Sequence, residues 1–201
     1  KKRVVMQIAP AVRVAIGEAF GYEPGENTIG KLIASLRKLG VDSIFDTSVG
    51  ADLTIMEESA EFLDRIEKGE KLPLLTSCCP AWSVMAKKLF PEYANCVSMA
   101  LTPMTLTARL IKNHTPDAKV VFIGPCAAKK LEASRKTIRS YVDFVLTFEE
   151  VAGMFDAKGV DWKDIPEGEP LFRASADGRG FAVSGGVAQA VVHAVKRIDP
   201  G

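Results

Sequence analysis

KVVFIGPC, residues 119–126, runs through four consecutive apolar residues, Val120 to Ile123, before a Gly-Pro break. A strand with one wet face alternates apolar and polar side chains, whereas a strand covered on both faces does not. The run therefore reads as a buried strand of a parallel sheet. RVVMQIAP (3–10) is likewise short and β-branched and is closed by Pro10, and SIFDTSV (43–49) and LPLLTSC (72–78) read as two more strands. Helical patterns lie between them. TIGKLIASLRKLG (28–40) spaces Ile29, Leu32, Ile33 and Leu36 on one face, and Gly40 suits the position just past a helix end. DLTIMEESAEFLDRIEKG (52–69) reads as a helix capped by Asp52 and closed by Gly69, and a further helix starts at Pro80. YVDFVLTFEEVAGMFDAKG (141–159) gives another strand and helix. After a loop rich in Pro, Gly and acidic residues, GFAVSGGVAQAVVHAVKRI (180–198) reads as a strand, a glycine turn and a helix. The alternation predicts an α/β fold of two lobes, with mainly parallel sheets flanked by helices and an active-site cleft between the lobes. NHTPDA (113–118) is the expected boundary, giving approximate lobes 1–115 and 116–201.

Composition bounds the function. The 201 residues are 47% hydrophobic and 25% charged, with a formal net charge of +1 and no block of basic residues. That balance gives no electrostatic case for nucleic acid or an anionic membrane surface. No apolar run approaches the roughly 18 residues of a membrane span. KKRVVMQIAP (1–10) lacks the length and cleavage site of a signal peptide, so a cytoplasmic location is expected.

Ligands of parallel sheets sit at the carboxyl ends of strands. TSCCP, GPCAAKK and SGG all fall at such ends in this reading. The four cysteines are Cys78, Cys79, Cys96 and Cys126. Nothing points to secretion, and clustered cysteines in such a chain more often bind metal or do chemistry than form disulfides. TSCCPAW (76–82) places Cys78 and Cys79 side by side where a strand meets a helix. Successive side chains of an extended segment point in opposite directions, so the two thiols should face different surroundings. Free N–H groups and the helix dipole there favour thiolate, which can bind iron or zinc or carry protons. Cys126 is similarly placed, with Lys129 and Lys130 three and four residues later. The alternative is that these are small buried residues at strand ends.

Glu58, Glu61 and Arg65 share a helical stripe. On a wheel Glu57, Asp64 and Lys68 lie on the solvated side and Leu53, Met56, Ala60 and Leu63 opposite, with the stripe at the border. The pattern by itself suits an exposed ion-pair face. A partly buried chain of carboxylates would instead be a proton relay. His114 and His193 are isolated and read as structural. GRGFAVSGG (178–186) has the wrong spacing for a dinucleotide fingerprint and no ribose-binding acid after it.

TSCCPAW, GPCAAKKLEA, APAVRVAIGEAFG (9–21) and ADLTIMEE (51–58) together resemble the catalytic domain of [FeFe]-hydrogenases over nearly all of the chain. The resemblance implies an enzyme, an iron hydrogenase of anaerobic hydrogen metabolism interconverting 2H⁺ + 2e⁻ and H₂. Its cofactor, the H-cluster, joins a [4Fe–4S] cubane to a two-iron unit carrying CO and cyanide. By the same resemblance Cys79 and Cys126 are cubane ligands, and Cys78 hands protons to the two-iron unit. Lys129 pairs with a cyanide, Ala9 and Pro10 line the two-iron pocket, and Glu132 matches an acidic residue near the lysine motif. Glu58, Ser98, Glu61 and Arg65 match the proton route to the surface. Implied partners are an electron donor or acceptor such as ferredoxin or fused ferredoxin-like domains, and cofactor maturation proteins.

The chain departs from the family pattern. The other two cubane cysteines belong to a motif further along than Gly201, so the chain reads as a fragment expected to be inactive alone. Cys96 matches no family ligand. Gly124 stands where a methionine is usual, and LTPMT (101–105) has Leu101 and Met104 where a lysine and a glutamine are usual. Two rival readings follow, a hydrogen-sensing relative with the same cofactor and a non-catalytic relative serving iron–sulfur protein assembly. The intact Cys78–Cys79 pair counts against the second.

Overall fold

The computed structural model describes residues 2–139, 141–169, 171 and 173–199. Four strands, β1 (Val4–Ile8), β2 (Ser43–Asp46), β3 (Lys119–Ile123) and β4 (Phe144–Leu146), form one parallel sheet in the order β2-β1-β3-β4. β1 and β3 are the central pair, in register from Val4 with Lys119 to Ile8 with Ile123. All of Val5–Ile8 and Val120–Ile123 is buried, as two-sided cover requires.

The helices are α1 (Val12–Ala15), α2 (Ile29–Lys38), α3 (Ser48–Lys68), α4 (Pro80–Leu89), α5 (Pro103–His114), α6 (Ala128–Ser134), α7 (Phe148–Ala157), α8 (Ala176–Arg179) and α9 (Gly186–Ile198). Ile29, Leu32, Ile33 and Leu36 of α2 join the main core with β1 and β3, as their spacing predicts. Gly40 and Gly69 take left-handed φ of 83° and 65° and close α2 and α3. α5 packs on β1 and β3, and α3 packs between α5 and the α8–α9 pair. None of the helices among the described residues is long and apolar enough to cross a membrane.

The α/β architecture stands, with corrections to individual elements. Residues 72–78 form no strand: Leu75 makes a single parallel bridge to Val97 and the segment never reaches the sheet. Pro73 has no N–H for a ladder, and the backbone bonds of Leu75 go to Cys96 and Ser98 instead. Residues 180–183 form no strand either. Gly180–Ala182 is a 3-10 turn and Val183 is 64% exposed, with no strand beside it among the described residues. The SGG turn therefore follows a helical turn and not a strand end. α3 begins at Ser48, four residues before the expected cap. Asp52 instead accepts bonds from the backbone N–H (2.8 Å) and hydroxyl of Ser175, tying α3 to the start of α8. The wheel for α3 holds on its solvated side, where Glu57, Asp64 and Lys68 are exposed, and fails on the other. Met56 is 66% exposed and Ala60 is exposed, while Glu58 and Arg65 are buried with Thr54 and Ile55. The packing of α5 and of the 96–101 segment covers the polar stripe, which a wheel read from hydrophobicity alone cannot anticipate. The segment 113–118 does separate α5 from β3, but β1 and β3 pair across it within one sheet.

Candidate active site

The carboxyl ends of β1 and β3 open into a cavity of about 250 Å³. Ala9 and Pro10 follow β1, and Pro125, Cys126 and Lys129 follow β3; Cys78 and Cys79 enter from the segment before α4, all lining the same space. Met104, Phe122 and Phe181 complete an apolar wall. Packing of α4 against α6 brings the two cysteine motifs together.

The paired cysteines do face different surroundings. Cys79 is the N-cap of α4, extended at φ −99° and ψ 109°, with Pro80 in the first helical position. Its exposed sulfur accepts the Trp82 N–H at 3.5 Å. The exposed Cys126 sulfur accepts the Ala128 N–H at 3.4 Å. Cys78 precedes the cap and is only partly exposed. Burial, and then the neighbouring Glu58 carboxylate, push its thiol up to about 11 against the opposing pull of Lys129. The expectation that the helix start makes Cys78 a thiolate is thus overturned: desolvation outweighs the dipole, and Cys78 holds its proton. Cys96 is buried and its thiol faces the Leu72 carbonyl at 3.7 Å, outside the cavity.

Lys129 joins the motifs. Its ammonium donates to the Cys78 carbonyl and to Glu132 Oε2, each at 2.8 Å. Glu132 is 1% exposed, and its other oxygen accepts the Thr102 hydroxyl and the Thr105 hydroxyl at 3.2 Å.

Glu58 lies beyond Cys78 and is fully buried. Its Oε1 accepts the Ser77 N–H at 3.4 Å, and its Oε2 has no partner. Burial pushes this carboxyl up to about 7, the Ser77 bond offsets part of the rise, and Glu61 adds to it. Ser98 donates to Glu61 Oε2 at 2.7 Å, and the Arg65 guanidinium binds Glu61 Oε1. Arg65 is fixed in turn by the carbonyls of Lys71 and Cys96, both at 2.8 Å. Glu61 and Arg65 line a second pocket of about 490 Å³ together with Lys68, Lys71 and Lys87. The stripe therefore runs from the cysteine cavity to an open pocket on the far side.

Of the eleven residues singled out in the sequence, Ala9, Pro10, Cys78, Cys79, Cys126 and Lys129 line the cavity and Glu61 and Arg65 the second pocket, while Glu58, Ser98 and Glu132 are buried and line neither. Thr102, Thr105, Gln7 and Phe181 were not singled out. Thr102 followed by Pro103 carries the signal of a helix start, but nothing local says that its hydroxyl also meets Glu132. The departures are also in place. Met104 is buried and its backbone carbonyl accepts Gln7 Nε2 at 3.1 Å. A Cβ on Gly124 would meet Phe122 Cε1 at 2.5 Å, so a larger residue would displace part of the cavity wall.

The donor chemistry suits an iron–sulfur group in part. Two soft sulfurs with backbone N–H partners stand at an apolar cavity beside one ammonium, and sulfur selects iron–sulfur clusters over hard ions. They make half of a four-thiolate set. Among the described residues no group of three or more His, Cys, Asp and Glu could hold a metal ion.

Comparison with known proteins agrees with this chemistry. The profile of the iron only hydrogenase large subunit, C-terminal domain, matches residues 2–200. NADP-reducing hydrogenase subunit HndD of Solidesulfovibrio fructosivorans is 37% identical over 100% of this chain and 38% of its own length. A variant of apo [FeFe]-hydrogenase HydA1 from Chlamydomonas reinhardtii superposes with a TM-score of 0.81 at 37% identity, covering 98% of this chain and 53% of its own. Protein NAR1 of Arabidopsis thaliana is 32% identical over 98% of this chain and 49% of its own length. The chain spans about half or less of each of these proteins. With a family profile matched almost end to end, it belongs to the family formed by the C-terminal domain of the iron-only hydrogenase large subunit.

Proposed function

We propose that this chain is part of an [FeFe]-hydrogenase catalytic domain, the approximate lobes 1–115 and 116–201 meeting at the cysteine cavity. The convergence of Cys78, Cys79, Cys126 and Lys129 on that cavity carries the reading. In the full-length protein Cys79 and Cys126 would hold the cubane as thiolates. The H-cluster, when bound, supplies the chemistry of 2H⁺ + 2e⁻ ⇌ H₂. Cys78 keeps its proton at neutral pH and presents it at the cavity. Glu58, poised near pH 7, is suited to exchange protons with it, and Ser98 and Glu61 continue the path to the outer pocket beside Arg65. Two of the three Lys129 N–H bonds are committed to Cys78 and Glu132, which leaves the third for an anionic ligand such as cyanide. Ala9 and Pro10 keep water from that side of the cavity. An electron partner of the ferredoxin type, maturation proteins and a cytoplasmic location belong to the same proposal.

The apolar Met104 and the small Gly124 favour a second reading, a hydrogen-sensing relative in which the same site turns over slowly. NAR1 keeps the iron–sulfur assembly alternative in view, and Cys78 beside Cys79 argues against it.

Paired substitutions in the full-length protein test the assignment. Cys78→Ser should keep the iron and the infrared bands of CO and cyanide but lose most H₂ turnover, since a hydroxyl is a far weaker acid than a thiol. Cys79→Ser should lose iron, because an alcohol replaces thiolate poorly at a cluster. Iron loss in the first, or retained iron with only slowed turnover in the second, would reverse the roles, and unchanged activity in both would sink the hydrogenase reading.

A further inference from the structure

We infer that Thr102 and Thr105, at the start of α5, are positioning residues that aim the Lys129 ammonium into the cavity through Glu132. A hydroxyl carries one proton. Both threonine protons have a carboxylate within reach, Thr102 at Glu132 Oε1 and Thr105 at the same oxygen at 3.2 Å. Thr102 also accepts the Thr105 N–H at 3.4 Å as the N-cap of α5, so one side chain starts the helix and grips Glu132. Thr105 is fully buried and Glu132 nearly so, and a carboxylate taken out of water needs this many partners to hold one orientation. The opposite oxygen meets Lys129, whose ammonium is pinned again by the Cys78 carbonyl. Cys78 and α6 thus meet at one nitrogen, and the start of α5 reaches it through Glu132. The two positions that depart from the family pattern here, Leu101 and Met104, offer no polar side chain, so the hydroxyls are what the 101–105 stretch contributes to the network.

The clamp stands on geometry alone; its role toward a cyanide rests on the proposed function. The experiment therefore has one arm without the cofactor and one with it. Thr105→Val is nearly isosteric and leaves the Thr102 cap intact, and Thr102→Ser keeps a hydroxyl at the second position. In metal-free protein, acylation of Lys129 by an N-hydroxysuccinimide ester is followed by peptide mass spectrometry, with exposed Lys87 as the internal reference. Thr105→Val should raise the Lys129 rate about tenfold relative to Lys87, as expected for a lost hydrogen bond to a charged group, and Thr102→Ser should stay at the wild-type rate. In loaded full-length protein, Thr105→Val should shift a cyanide infrared band at unchanged iron content, and Thr102→Ser should not. An unchanged acylation rate in a folded Thr105→Val variant overturns the clamp, whatever the cofactor. A raised rate with an unmoved cyanide band overturns the aiming role. A raised rate in Thr105→Val, where the loaded wild-type protein shows no cyanide band at all, upholds the clamp and sinks the hydrogenase reading instead.

Discussion

At the scale of single residues, the adjacent cysteines show how one peptide step separates two chemistries. Cys79 caps α4 with its sulfur in the open, while Cys78 is turned toward Glu58 and loses water. Labelling should report the difference: in metal-free protein at pH 8, iodoacetamide should modify Cys79 and Cys126 well before Cys78, with buried Cys96 last, as read by mass spectrometry. Early loss of Cys78 would contradict its burial. Glu58 gives a second measurement. Its carboxyl is raised from 4.5 to about 7, so between those values the folded state binds more protons than the unfolded chain. Stability from this group is therefore full below pH 4.5 and is lost as pH rises through 7, by up to about 3 kcal/mol. Glu58→Gln should remove that slope, so that its stability relative to the wild type improves from pH 5 to pH 8 in urea denaturation. A wild-type profile as flat as the variant's would deny the buried carboxyl. The cysteine pair was legible in the sequence because alternation requires opposite directions. The proton affinity of Cys78 was not, because it depends first on burial by the surrounding fold and then on a carboxylate twenty residues away.

At the scale of elements, legibility followed how much of the environment each element carries in its own residues. The unbroken apolar run of β3, the short β-branched stretch of β1 and the helical spacing of α2 declared two strands and a core-facing helix, and all three formed as read. Residues 72–78 and 180–183 have strand-like composition, yet pairing is a property of neighbours, and none lies beside them in the sheet. α3 failed in the more informative way. Its amphipathic wheel placed the apolar side inside, but this helix buries Glu58 and Arg65 and leaves Met56 in solvent. Opposite substitutions measure the inversion. Ile55, 3% exposed and packed against Ala190, Ala194 and Phe181, should cost about 2–5 kcal/mol as Ile55→Ala. Met56→Gln, one residue on, should stay within about 0.5 kcal/mol. Equal losses at the two positions would restore the wheel.

At the scale of the whole molecule, the sheet and α3 place two openings at the ends of one buried polar line, the cysteine cavity inside and the lysine-rimmed pocket outside. The line is built within this chain, whereas the cluster site proposed for the cavity has only two candidate thiolates in it. Cys79 and Cys126 are the two thiols exposed at the cavity; Cys78 faces Glu58 and Cys96 is committed to the core near Leu72. A [4Fe–4S] cubane takes four protein ligands, and two thiolates on neighbouring helix starts would leave two of its four terminal positions to water and competing thiols. The 201-residue chain alone, reconstituted anaerobically with iron and sulfide, should therefore fold, bind iron weakly and release it to a chelator, and evolve no H₂ from reduced methyl viologen. The same treatment of a chain that carries the family's remaining cysteine motif should give chelator-resistant iron, and the difference between the two measures what the missing ligands contribute. Stoichiometric, chelator-resistant iron with H₂ evolution in the 201-residue chain would mean that its own residues complete the site, and that the two-ligand account of the cavity is wrong.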